Sequence, residues 1–168
     1  MTVFTLDSHA SASELFEELG YQLGRARALE RRSREMQESR SASATNWGAI
    51  ANGGGRGNAS SFWLDSAIDM EEEAKRIRRE AGPYIELAHE LLYGENGLSR
   101  LRGETDAAIV ERHYLHGEGW AEMASELAKP GAKSPRDWCR RRACRALQLM
   151  DRNDLIAFAR ERVEEAER

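Results

Sequence analysis

Apolar positions along the chain recur at three and four residues, and strict alternation is almost absent. Leu15, Leu19, Leu23 and Ala26 repeat at four, four and three, the spacing of one side of an α-helix. With Ser13 as a candidate N-cap, a helix is predicted over about 13–39, weakened at Gly20 and Gly24. The pattern lapses over 41–61, where Ser41 to Asn46 and Gly53 to Asn58 have loop composition. It returns near Phe62: Leu64, Ala67, Ile68, Ala74, Ile77 and Ala81 share one side, and Tyr84, Leu87, Ala88, Leu91 and Leu92 continue it to Gly94. Gly82-Pro83 is expected to stop or kink this helix. Two long helical stretches flanking one loop predict an antiparallel hairpin over 13–95. Residues 1–12 read as a loose, flexible arm.

From Glu104 the elements shorten. Ala107, Ala108, Ile109, Val110 and Tyr114 mark a helix over 104–116, and Gly117-Glu118-Gly119 a turn. Trp120 to Ala128 is a short helix with Met123, Ala124 and Leu127 inward, and Lys129 to Ser134 is a second turn. Ser134 suits the N-cap and Pro135 the first position of a helix over 135–150. Cys139, Ala143, Ala146, Leu147 and Met150 form its apolar stripe. A final helix over 153–168 has Leu155, Phe158, Ala159 and Val163 inward. β-Branched and aromatic residues are sparse, so the expected fold class is all-α.

Composition narrows the function classes. A length of 168 residues with 40% apolar content suits one domain, or one domain with an accessory helical piece. No apolar run approaches the roughly 18 residues that span a bilayer, and no membrane partner is expected. The N-terminal residues lack the basic and apolar regions of a secretory signal, so a cytoplasmic, reduced setting is expected. Cys139 and Cys144 are five apart, face different sides of a helix and match no zinc spacing. The Gly53 run has no Lys-Ser/Thr ending and no preceding strand, so it reads as a connector and not a phosphate loop. His113, His116 and Glu118 have no Cys nearby in sequence and read as a structural or exposed pair of histidines, not a metal site. No Ser/His/Asp order or isolated carboxylate pair stands out, and neither enzymatic activity nor a cofactor is expected.

Charge is distributed unevenly. The chain is acidic overall, at −4. Residues 129–152 carry eight basic and two acidic side chains, net +6, which leaves −10 for the remainder. Opposite the apolar stripe, the 135–150 helix presents Arg136, Asp137, Arg140, Arg141 and, further round, Arg145. An apolar inner stripe and an arginine-rich outer face are what a helix needs to sit in a major groove, where the guanidinium fork pairs with guanine or with phosphate. Lys133, in the preceding turn, and Trp120, at the start of the middle helix, complete the candidate DNA-binding set.

The run Ile109-Val110-Glu111-Arg112-His113-Tyr114, then Gly117 through Leu127 with Trp120-Ala121-Glu122-Met123-Ala124, then Ser134 through Arg145-Ala146-Leu147, resembles region 4 of bacterial sigma factors. It is closer still to ArpU-like phage transcriptional regulators. The resemblance is specific over about 105–150 and only architectural over 13–95. It implies a helix–turn–helix whose third helix reads promoter-type DNA, a phage or prophage origin, and DNA-facing positions at Arg136, Asp137, Arg140 and Arg141. It departs from the sigma pattern in a longer second turn, Ala128 to Ser134, and in His113, where Leu or Arg is common. The expected function is sequence-specific transcriptional regulation on double-stranded DNA. Contact with RNA polymerase or a homodimer through the long helices is open, because an apolar seam within a hairpin looks the same. Two alternatives stand beside it: a small terminase-type packaging subunit, and a helical protein-interaction module that does not bind DNA.

Overall fold

The computed structural model describes residues 4, 6, 10–47, 57–166 and 168, with the side chains of 40–47 and 57–63 outside the description. The protein is all-α. The helices are α1 (Ala12–Trp47), α2 (Gly57–Tyr93), α3 (Leu98–Arg102), α4 (Glu104–Val110), α5 (Trp120–Leu127), α6 (Pro135–Arg152) and α7 (Leu155–Ala166). A π-helical turn, Glu111–Leu115, extends α4. Among the described residues, no helix is long and apolar enough to cross a membrane.

The chain divides into two compact units. One contains residues 24–79, the facing parts of α1 and α2. These parts run antiparallel: Arg25 pairs with Glu73 at 3.1 Å, and the buried Ser33 hydroxyl donates to the Ala67 carbonyl at 2.9 Å. The seam between them is made of small residues, Ala26, Ala67 and Ala74, with Ile77. Arg78 adds a two-pronged contact to Glu30, at 2.6 and 2.8 Å.

The other unit contains 1–23 and 80–168. Its core joins Leu15, Phe16 and Leu19 of α1, Leu87, Leu91 and Leu92 of α2, Leu98, Ile109 and Val110, Met123, and the α6 stripe. Phe16 meets Tyr114 at 5.9 Å between ring centroids. Gly20 lets that contact form, since a Cβ there would lie 3.2 Å from the Tyr114 ring. Ser13 ties the start of α1 to Asp151 near the end of α6 through its backbone N–H, at 3.1 Å, and through its hydroxyl.

Several boundaries differ from expectation. α1 continues through 41–47 and α2 begins at Gly57, so both ends of the expected 41–61 loop are helical. Residues 41–47 hold Ser, Ala and Thr but no Gly or Pro, and such residues cost a helix only tenths of a kcal/mol each. Residues 48–56 lie outside the description. Pro83 does not end its helix; α2 runs through it. The lost hydrogen bond and ring crowding cost about 3 kcal/mol, offset by the apolar side chains buried on both flanks, Ala81, Leu87, Ala88 and Leu91. The expected arm lies mostly outside the described residues, but Phe4 is buried and stacks on Tyr84 at 4.7 Å. α3 is absent from the sequence reading because five residues are too few to show a period. Phe158 is 52% exposed and does not join the core, whereas its neighbours Leu155, Ile156 and Ala159 do.

Candidate nucleic-acid interface

α6 is packed against α3, α4, α5 and α7. Cys139, Ala143, Ala146, Leu147 and Met150 are all buried, as the stripe predicts. At 3.6 residues per turn the remaining positions take fixed bearings. Arg141 and Arg145 lie about 200° and 240° from Cys139, facing away from the core. Arg140 lies on a flank, about 100° round, and Arg142 on the other flank. Arg136 is only about 60° from the stripe; it is exposed because it stands in the first turn of α6. The arginines therefore project in more than one direction.

Their partners separate them further. Arg136, Arg141 and Arg145 are exposed and make no ion pair with a described residue. Arg140 lies 3.7 Å from Asp137 with side chains 65% and 49% exposed, a weak contact that phosphate can displace. Arg142 turns inward onto the carboxylate of Asp106 and lies over the Trp138 ring, 4.7 Å from its centroid. Lys133 is exposed in the turn before α6. Ser134 does not cap the helix through a backbone N–H. Its hydroxyl donates to Asp137 Oδ2 at 2.8 Å, so Asp137 accepts from Ser134 on one side and faces Arg140 on the other.

The segment leading into α5 is held by a separate set of contacts. Arg112 pairs with Glu118 at 2.6 Å and Glu126 at 2.7 Å, which raises its pKa further, while Arg112 lowers that of Glu118. His113 donates from Nδ1 to the Glu118 carbonyl at 2.9 Å, and its ring stacks on Trp120 at 3.6 Å. Burial lowers the His113 pKa, outweighing the opposing effect of that hydrogen bond. One face of Trp120 is thus covered, and the residue is part-buried. Positive φ at Gly117 (73°) and Gly131 (80°) shapes the two turns on either side of α5, a backbone region that side chains with a Cβ rarely adopt.

Among the described residues, no group of three or more His, Cys, Asp or Glu side chains is placed to share a metal ion. Cys139 is buried and Cys144 exposed, both as free thiols.

Asp106 and Arg142 escaped the sequence reading. Asp106 is fully buried between Arg102, whose Nε donates at 2.8 Å, and Arg142. A signal was present: Asp106 stands three and four positions before Ile109 and Val110, on the side of α4 that turns inward.

No protein-family model matches the chain, and neither a curated protein nor a solved structure matches it.

Proposed function

We propose that the chain is a sequence-specific regulator of transcription that binds duplex DNA with α6 in the major groove. The observation that carries this reading is the state of the α6 arginines. Arg136, Arg141 and Arg145 are exposed with no ion pair to a described residue, on a helix whose inner stripe is wholly buried. Guanidinium groups held this way can meet phosphate or guanine without first breaking a contact within the protein. Arg140, held only loosely by Asp137, joins them, and Lys133 and the part-exposed Trp120 extend the surface toward the phosphate backbone.

Selection of bound sequences from random duplex DNA, with mass in solution measured alongside, tests the proposal. The expected outcome is an enriched motif bound by a monomer or dimer. Recovery of no motif at low salt would reject it in favour of a helical interaction module, and a ring-sized oligomer would move the role to DNA packaging.

A further inference from the structure

Asp106 is completely buried, yet it carries a carboxylate. Both of its oxygens accept from arginine Nε atoms: Oδ2 from Arg102, four residues earlier, and Oδ1 from Arg142, thirty-six residues later on α6. Two cations around one anion leave a local excess of positive charge, and both guanidinium side chains remain about one-third exposed. Apolar packing through Ala143, Ala146, Leu147 and Met150 holds α6 in place, but apolar attraction is non-directional. A charge-assisted hydrogen bond has a narrow geometry. Arg142 sits next to Arg141 and one turn from Trp138 and Arg145, so fixing its direction fixes the bearings of the outward arginines. The Trp138 ring beneath the Arg142 guanidinium closes the remaining side.

We propose that Asp106 is a positioning residue for DNA recognition: it sets the rotation of α6 through Arg142 and thereby selects which base edges Arg140, Arg141 and Arg145 can reach. This rests on the DNA-binding reading above. Asp106 touches no DNA in this scheme, so its loss changes selectivity and leaves the phosphate-dependent part of binding intact.

The test uses full-length protein and two duplexes, one carrying the motif recovered by wild type and one scrambled. Asp106→Asn keeps the shape and removes the charge. The double variant Asp106→Leu with Arg142→Met replaces the buried pair by apolar side chains and keeps the fold measurable if the single variant is unstable. Helical content by circular dichroism and the melting midpoint fix the folded fraction, and binding is measured well below that midpoint. The expected result is at least a tenfold fall in the ratio of motif to scrambled affinity, with the salt dependence on the scrambled duplex unchanged. An unchanged ratio in a folded double variant overturns the proposal and reduces Asp106 to a stability role. Failure of the wild-type protein to prefer any duplex overturns the DNA reading itself, and the positioning role with it.

Discussion

Replacing Arg136, Arg141 and Arg145 together by Ala removes the three guanidinium groups of α6 that are exposed with no ion pair to a described residue. Because none of them supports the core, the fold should survive and the melting midpoint should hardly move. Each phosphate contact releases counter-ions and contributes about 0.9 to the slope of log affinity against log salt. Three contacts therefore contribute up to about 2.7, and over a fourfold rise in salt that slope changes affinity by about 40-fold. Arg140 is left in place because Asp137, at 3.7 Å, already neutralises part of its charge. The assay is fluorescence anisotropy on a scrambled duplex at several salt concentrations, with circular dichroism as the control for folding. If all three residues meet phosphate, the variant slope falls by about 2 to 3; contacts that read bases instead lower it by less and weaken motif binding more. A slope within about 0.5 of wild type, together with unchanged motif affinity in a folded variant, would refute the assignment of α6 as the contact surface.

Three further outcomes follow from the same packing. Met150→Ala removes a fully buried side chain at the inner end of the α6 stripe and should lower stability by about 2–5 kcal/mol in chemical denaturation; a change under about 1 kcal/mol would show that the stripe is not packed as described. Gly131→Ala places a Cβ where nothing lies within 4 Å but φ is 80°, so the cost is backbone strain alone, about 1 kcal/mol, read as a lower melting midpoint with α6 still helical. Burial lowers the His113 pKa, so between its folded value and about 6.5 the unfolded chain binds more protons and stability falls as pH drops. His113→Gln should flatten the melting midpoint across that window, whereas the lowered carboxylates Glu30 and Glu118 act below it, under about pH 4.5. A profile identical to wild type just below about pH 6.5 would contradict a neutral, stacked His113.

Much of the fold was legible because helical periodicity is local. The α6 stripe, the Gly117 turn and the short α5 all lie where their spacing put them. The misreadings share a cause as well. The Ser-rich 41–47 segment carries a local signal against helix, but α1 runs on; at Gly82-Pro83, of the stop or kink expected, the stop does not occur, because the core packing on either side outweighs that signal. Phe158 carries an apolar signal without a partner element to cover it. For the candidate interface, the sequence located the basic helix and its inner side but passed over Arg142, the arginine that turns inward.

The sequence by itself settles that the chain is helical, which stripe of α6 is greasy, and that positive charge collects on that helix, since these depend only on residue type and on 3.6 residues per turn. Tertiary structure alone decides what three adjacent arginines do. Arg140 meets its neighbour Asp137, Arg141 faces solvent, and Arg142 reaches a carboxylate thirty-six residues away. A long flexible cation takes the partner that non-local packing brings within a few ångströms, and linear order does not carry that distance.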